Sequence, residues 1–331
     1  MKRKTLRPSS VPAVELVRGA VFAWPGLFAL VLTACAGPPA GEPAPAAQAP
    51  PAEARAVAVV AFTEGPAVDG AGNVYFTEMR FPRILKYTPG RGLTVFRENS
   101  NGANGLIFDE QGRLIAAEGG PAPRVTRTNI ATGEVEVLAA DRPDTPITRP
   151  NDVTLDGRGR IYFTDYGGHR IYRIDPDGGV HRILGPGQID VPNGIVISPD
   201  DKTLYHVESN GKQGGSRCIK AYDLAEDGAV SNGRIFHNFY PGRSADGLAI
   251  DSQGNLYAAA GLNRPRGSSE TLDTKPGVHV FAPDGRPVAY YPIAEDTVTN
   301  LAFGGPDLKT LYVTAGKTLF AVEVAIPGTR R

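Results

Sequence analysis

Six oxygen-bearing side chains recur at one spacing along the sequence, and they are the first candidates for chemistry. Each precedes, by five positions or the equivalent, a turn that carries an aspartate. In chain order they are Glu64, Asn104, Asn151, Asn193, Asp246 and Asn300. Asn and Asp are common in turns because they cap their own backbone, and a following Gly accepts positive φ. Turn chemistry would explain one copy, but six copies in one register favour a functional site.

The donor atoms of this set are carboxylate and amide oxygens, which favour a hard cation. The histidines lie elsewhere, at His169, His181, His206, His237 and His279. Calcium takes about six to eight oxygens in irregular geometry, whereas zinc prefers nitrogen and sulfur in tetrahedral sites. We therefore predict a bound divalent cation, with Ca²⁺ ahead of Zn²⁺, Mg²⁺ and Mn²⁺. Without a cation, two facing carboxylates would repel and the pKa of one would rise.

The elements that must position these side chains form a sixfold internal repeat. An aspartate turn followed by an apolar and aromatic strand, as in Asp69 to Glu78, recurs with a period of roughly forty to fifty-five residues. Two further strand-like runs follow in each repeat. Four short strands per repeat predict an all-β fold, a six-bladed β-propeller. Innermost strands begin at one face and converge on the axis, so the six polar residues should surround one mouth of the central channel.

The last repeat offers only three strands, whereas residues 56–62 form a spare strand ahead of the first repeat. We predict that this N-terminal strand closes the last blade, which leaves no open sheet edge. The second strand of each blade returns to the face where the first begins. We therefore expect the acids at those strand ends to lie behind the ring; they are Glu78, Glu118, Asp165 and Glu208.

The N-terminal segment predicts export and anchoring. Four basic residues among the first seven precede an apolar stretch, 20–32, and the sequence Leu-Thr-Ala before Cys35 resembles a bacterial lipobox. We predict a signal peptide over 1–34, a lipidated Cys35 opening a Pro/Ala-rich tether over 35–55, and the propeller over 56–326. The protein would then sit at the periplasmic face of the bacterial envelope, with the outer membrane favoured. An ordinary secretory signal with an incidental Cys35 is the alternative.

Composition narrows the set of partners. Lys plus Arg and Asp plus Glu each total 35, so the formal net charge is zero. There is no basic excess of the kind a polyanion partner needs, and we expect no nucleic acid ligand. If Cys35 is lipidated, Cys218 is the one thiol left in the mature chain, so no intramolecular disulfide is expected. We expect a monomer.

Several local motifs resemble one known family. They are ANGLIFD (103–109), RPND (149–152) with IYFTD (161–165), PNG (192–194) with KTLY (202–205), and TNLAFGGPDLKTLYVT (299–314). From Ala56 to Val324 the chain resembles the SMP-30/gluconolactonase/LRE family of calcium-dependent lactonases. The resemblance implies that a small lactone or related ester is hydrolysed at a metal in the channel mouth. The metal would polarise the carbonyl and position water.

The resemblance also implies roles for particular residues. The metal ligands would be Glu64, Asn151, Asn193 and Asp246, and the substrate would meet Asn104, Arg149, Asn300 and Glu118. Asp246 would accept the proton of the attacking water, with Asp165 as the reserve base. The family often carries Glu-His where this chain has Glu118 followed by Gly, so the identity of the lactone stays open.

Other classes of function stay open at this point. A propeller can equally be a non-enzymatic binding module or a scaffold at the cell envelope. A docking platform needs no cation at its axis, so the polar ring favours the enzyme. Other esters or phosphotriesters could be hydrolysed at the same metal. A serine hydrolase is disfavoured because no Gly-x-Ser-x-Gly elbow occurs in the sequence.

Overall fold

Short strands joined by tight turns make up the structure, a computed structural model that describes residues 52–329. In this range the strands form six antiparallel sheets of four strands each. The innermost strands of neighbouring sheets contact each other in a closed circle. The prediction of an all-β, six-bladed β-propeller is therefore confirmed.

The strands are numbered in chain order. The strand β1 (Arg55–Val59) precedes blade 1. Blade 1 consists of β2 (Thr63–Val68), β3 (Val74–Glu78), β4 (Arg83–Thr88) and β5 (Gly92–Arg97). Blade 2 consists of β6 (Ala103–Phe108), β7 (Leu114–Glu118), β8 (Arg124–Thr128) and β9 (Val135–Ala140). Blade 3 consists of β10 (Pro150–Leu155), β11 (Ile161–Asp165), β12 (Arg170–Ile174) and β13 (Val180–Leu184).

Blade 4 consists of β14 (Pro192–Ile197), β15 (Thr203–Ser209), β16 (Arg217–Leu224) and β17 (Val230–Asn238). Blade 5 consists of β18 (Ala245–Ile250), β19 (Leu256–Ala260), β20 (Gly277–Phe281) and β21 (Pro287–Pro292). Blade 6 consists of β22 (Val298–Gly304), β23 (Thr310–Ala315) and β24 (Thr318–Glu323), with β1 as its fourth strand.

The pairing of β1 with β24 confirms the predicted closure of the ring. Arg55 lies opposite Ala321 and Val59 opposite Thr318. The strand begins one residue before the predicted start and ends at Val59 instead of residue 62. Val60 N still donates to Lys317 O (2.7 Å), after which the chain crosses to the innermost strand of blade 1.

The repeated aspartate turn is explained by backbone hydrogen bonds. Asp69 Oδ1 accepts from Ala71 N (3.0 Å) and Asn73 N (2.8 Å), which closes the turn between β2 and β3. The same arrangement recurs at Asp109, Asp156 and Asp251. These aspartates therefore belong to the fold, and they lie at the opposite end of each innermost strand from the polar head.

The hydrophobic core lies between neighbouring sheets. The strand β11 is fully buried, and its Phe163 packs with Val153 of the same blade and with Ile115 of blade 2. Outermost strands such as β5 and β9 are largely exposed. Burial at roughly 25 cal/mol per Å² therefore stabilises mainly the inner strands, the ones that position the channel.

A β-bulge interrupts each innermost strand at or beside its polar head. In β6, Ala103 pairs with Glu118 and Leu106 with Ala116, so two residues, 104 and 105, oppose a single residue of β7. The register shifts at the same position in β10, β14 and β18, just after the polar head in β2 and just before it in β22. A bulge changes the direction in which nearby side chains point. The bulges therefore help to set the direction of the predicted ring residues.

The predicted signal peptide, Cys35 and most of the tether lie outside the described residues. Between residues 52 and 329 no helix is long and apolar enough to cross a membrane.

Candidate metal and substrate site

The six predicted polar residues are brought together at one mouth of the channel. Each is the second residue of its innermost strand, except in β22, where it is the third. Five of them are 7 to 9% exposed, and Asn151 is half-buried. We call the six the polar ring: Glu64, Asn104, Asn151, Asn193, Asp246 and Asn300.

Two carboxylates of the polar ring influence each other strongly. Burial is the main cause that raises the pKa of Glu64 well above its ordinary value, and the charge of Asp246 raises it further. Burial also raises the pKa of Asp246, while hydrogen bonding from Asn193 opposes this rise. Burial and the neighbouring charge thus both disfavour ionisation of Glu64.

A guanidinium also reaches the polar ring. Arg243, in the segment that leads into β18, donates from Nη2 to Asp246 Oδ2 at 3.1 Å. Its Nη1 lies 3.6 Å from Oε1 of Glu270, on the loop between β19 and β20. Sequence reasoning missed both residues. Arg243 could have been suspected from its position three residues before Asp246, but nothing in the sequence marks Glu270.

A further carboxyl, Asp152, lies one layer below the polar ring and was also missed. Its Oδ1 accepts from Val153 N (3.0 Å) and its Oδ2 from Ile195 N (3.2 Å), and the Asn300 side chain hydrogen-bonds to it. Burial is the main cause that raises its pKa to about 7. The sequence did carry a signal for Asp152: the residue that follows the polar head is Gly in four other blades, whereas here it is an acid. A Cβ at Gly105 would lie 2.3 Å from Asp152 Oδ1, so this neighbour must lack a side chain.

Below this layer the channel widens into a cavity of about 540 Å³ that reaches the opposite face of the propeller. Its walls combine apolar side chains, among them Val68, Leu106 and Phe303, with polar ones, among them Asp69, Asp109 and Glu110. Asp152 and Asn300 form its inner end. The polar ring and this cavity thus lie on opposite sides of the Asp152 layer in one channel.

The structure does not bring Glu118 and Asp165 into the polar ring. Glu118 is fully buried and pairs with Arg97 and Arg124, both at 2.7 Å. These partners come from an outermost and a third strand, so the carboxylate is directed away from the axis. The predicted substrate contact of Glu118 has no contact at the channel to support it.

Asp165 is also committed to the scaffold. Its Oδ1 accepts from the backbone amides of Thr148 (3.1 Å) and Arg149 (2.6 Å), and its Oδ2 pairs with Arg170 at 3.2 Å. Both oxygens are therefore occupied by groups that fix the segment entering β10. These contacts give no support to the reserve role of Asp165 as a base, because both of its carboxylate oxygens bind groups of the scaffold behind the polar ring.

The other two acids expected behind the ring act in the same way. Glu78 pairs with Arg83 at 2.9 Å, and Glu208 pairs with Lys220 at 3.0 Å. Glu208 also accepts from Val191 N at 2.7 Å. Each of the four acids thus ties the end of the second strand of its blade to the third strand. In blades 3 and 4 the acid also binds the segment that enters the innermost strand.

Arg149 lies two residues before Asn151 of the polar ring, and its contact with substrate stays a prediction. Its side chain is exposed, and its guanidinium lies 5.5 Å from the ring centroid of Tyr166. A Cβ at Gly119 would lie 2.8 Å from Pro150 O and 3.0 Å from Arg149 Cγ. The Gly that departs from the family pattern is therefore required by the placement of this arginine.

The donor set of the polar ring fits a hard cation. No group of three or more His, Cys, Asp and Glu side chains suited to a metal occurs within residues 52–329. The ring instead combines two carboxylates with the amide oxygens of four asparagines. Calcium and magnesium accept such mixed oxygen sets, whereas zinc prefers nitrogen and sulfur. A divalent charge would also relieve the repulsion between Glu64 and Asp246.

Fold and site together define a six-bladed β-propeller with an oxygen-lined candidate metal site at one channel mouth. The sequence model for the SMP-30/Gluconolactonase/LRE-like region matches residues 62–317. The chain belongs to this family.

Individual relatives are similar over most of their length. A gluconolactonase of Zymomonas mobilis is 25% identical over 299 residues, covering 80% of this chain and 79% of the relative. A pentonolactonase of Haloferax volcanii is 29% identical over 249 residues, covering 73% of this chain and 76% of the relative. The solved structure of a gluconolactonase from Xanthomonas campestris superimposes with a TM-score of 0.71 at 26% identity. That superposition covers 87% of this chain and 99% of the other.

Proposed function

We propose that this protein is a metal-dependent hydrolase of lactones or closely related esters. The observation that carries the proposal is the buried pair of carboxylates, Glu64 and Asp246, among amide oxygens at the channel mouth. Two relatives that align over most of their length are a gluconolactonase and a pentonolactonase, which supports the same chemistry.

Four residues would hold one divalent cation, with calcium foremost: Glu64, Asn151, Asn193 and Asp246. A bound divalent cation would polarise the lactone carbonyl and stabilise the negative charge that develops on its oxygen. Asn193 hydrogen-bonds to Asp246 and fixes the direction of that carboxylate. The bulges hold these side chains at the mouth, so the site is preorganised for its ligand.

Asp246 is the proposed acceptor of the proton that the attacking water loses. Burial raises the pKa of Asp246, and the positive charge of Arg243 opposes that rise. A carboxylate with a raised pKa is a stronger base, which suits this role. Asn104 and Arg149 lie at the rim, where they can bind the hydroxyls or ring oxygen of a substrate. Asn300 is directed to Asp152 and closes the floor beneath the substrate.

We propose further that the protein is exported and anchored by lipid at Cys35. The basic N-terminus, the apolar stretch and the small residues before this cysteine support that proposal. The enzyme would then act on small lactones at the periplasmic face of the envelope.

A substrate panel tests the proposed reaction. Aldonolactones, an aryl ester and a phosphotriester are assayed with the full chain, with and without chelator. We expect chelator-sensitive hydrolysis that is fastest for a lactone. Asn104→Ala, on the rim, should change turnover or lactone preference while the metal affinity stays nearly the same. Cation binding without hydrolysis of any substrate would favour a binding module instead.

A further inference from the structure

Arg243 occupies one carboxylate of the proposed metal site. Its Nη2 donates to Asp246 Oδ2 at 3.1 Å, and its side chain is only 18% exposed. Asp246 itself is 9% exposed, so solvent screens the contact poorly. A positive group therefore already neutralises the carboxylate that would ligate the cation.

A guanidinium and a divalent cation on the same carboxylate repel each other. Within the polar ring the charges lie close together in surroundings less polar than water, so this repulsion is poorly screened. Binding of a cation at Asp246 must therefore displace Arg243 or proceed against its charge.

Glu270 provides a second acceptor for the same guanidinium. Its Oε1 lies 3.6 Å from Arg243 Nη1, whereas Asp246 is bound through Nη2. Its side chain is 7% exposed, so this carboxylate is also largely shielded from water. Arg243 thus lies between an acid of the ring and an acid of the loop above it.

The loop that carries Glu270 is fixed by a buried arginine. Arg217 is 1% exposed and donates to Pro241 O (2.7 Å), Ser269 O (3.3 Å) and Gly211 O (3.1 Å). Ser269 N also donates to Gly211 O at 3.1 Å. Three loops of blades 4 and 5 are thereby tied together, and Glu270 is held next to Arg243.

We propose that Arg243 is a positioning residue that competes with the cation for Asp246, and that Glu270 draws its guanidinium aside when the cation binds. This inference rests on the proposed function. The pair would set the affinity of the site for metal, independently of the residues that ligate it.

Calorimetric titration of the metal-stripped full chain with Ca²⁺ tests the inference. Arg243→Gln should bind Ca²⁺ at least about tenfold more tightly, because a repelling charge is removed. Were Arg243 merely a support that orients Asp246, the same variant would bind more weakly. Glu270→Gln should weaken binding, because the guanidinium is then left on Asp246.

The double variant separates direct from indirect effects of Glu270. If Glu270 acts through Arg243, Glu270→Gln should cost much less affinity when Arg243→Gln is already present. Arg266→Gln is the matched control: Arg266 lies on the same loop but pairs with Asp296 at 3.2 Å, and its loss should leave Ca²⁺ affinity unchanged. Thermal melting confirms that each variant is folded.

The outcomes are distinguishable. A wild-type protein that binds no divalent cation would remove the proposed metal site and this inference with it. A wild-type protein that binds Ca²⁺, with Arg243→Gln equal or weaker, would overturn the inference alone. Equal losses from Glu270→Gln in both backgrounds would overturn the part assigned to Glu270.

Discussion

At the scale of single residues, Asp246 and Asp165 look alike in sequence but have opposite surroundings. Asp246 faces the channel mouth, where its partners are Arg243 and Asn193. Asp165 accepts two backbone amides and pairs with Arg170 behind the ring. One carboxylate is positioned for a ligand and the other for the scaffold.

Replacing each of these aspartates by asparagine should separate function from stability. Asp246→Asn should lower Ca²⁺ affinity more than about tenfold and turnover about a hundredfold, because a ligand charge and the proposed base are lost. Asp165→Asn should instead lower the free energy of unfolding by about 2 to 3 kcal/mol, because Arg170 loses its carboxylate partner and keeps only the carbonyl of Pro146. Calorimetric titration, a lactone assay and urea unfolding measure the three quantities. Normal activity in Asp246→Asn would exclude it as the base.

Asp152 predicts a pH dependence for the metal-free protein. Its pKa rises from 3.8 to about 7 on folding, because it is buried. A raised pKa means that the folded state holds the proton more tightly, so the free energy of unfolding falls as pH rises from about 4 to about 7. Three pKa units correspond to about 4 kcal/mol as an upper bound.

Urea unfolding in chelator between pH 4 and pH 8 measures this dependence. Asp152→Asn should give a shallower decline than the wild type. Some decline should persist, because the pKa values of Glu64 and Asp246 are raised in the same direction. Identical slopes for variant and wild type would show that Asp152 ionises normally in the folded protein.

The polar ring could be predicted from sequence, whereas its immediate neighbours could not. The polar ring was predictable because its six residues recur at the same position before each turn, and such spacing is visible in the sequence. Arg243 and Glu270 meet because a loop folds back over the channel, and no spacing in the sequence encodes that contact. The family resemblance implied a substrate contact for Glu118, but the direction of its side chain depends on arginines from two other strands.

At the scale of elements, the innermost strands combine regular pairing with one irregular position. The number and order of the strands were predictable, because aspartate turns and apolar runs mark each of them. The bulges were not, since two residues opposing one is a property of the strand pair. Without the bulge, strict alternation would turn the polar head of the strand toward a neighbouring blade.

Ring closure by β1 is testable by truncation. Deleting residues through Phe62 removes the pairing with β24 and exposes an edge, so the free energy of unfolding should fall by a few kcal/mol. Much of this loss should come from the backbone hydrogen bonds between β1 and β24, because the residues of β1 are at best half-buried. Deleting residues only through Ala54 should have a small effect, since Ala52 and Ala54 make only partly buried contacts. Equal melting temperatures for the two truncated proteins would contradict the role of β1.

At the scale of the whole molecule, the channel has a different form at each end. The polar ring opens at one face, and the cavity of about 540 Å³ opens at the other. The Asp152 layer lies between them. The sixfold repeat predicted a common axis for the six blades. The size of the cavity depends on how far the six innermost strands splay apart, which could not be predicted from the sequence.

We propose that the N-terminal segment anchors this propeller at a membrane. Cys35 should be the lipidated first residue of the mature protein, because basic residues, an apolar stretch and a lipobox-like sequence precede it. Mass spectrometry of the exported protein measures the modification, and Cys35→Ala should release it from membranes. An unmodified N-terminus elsewhere, or a Cys35→Ala variant that still sediments with membranes, would contradict anchoring at this residue.

One titration tests most directly whether lactone hydrolysis depends on a single cation in the polar ring. The metal-stripped full chain is titrated with Ca²⁺ in a calorimeter, and samples from each step are assayed for hydrolysis of the best lactone. We predict one binding event per chain, with activity absent at the start and rising in proportion to occupancy. Full activity in the metal-stripped protein, or saturation of the site without any gain in hydrolysis, would contradict the proposed function.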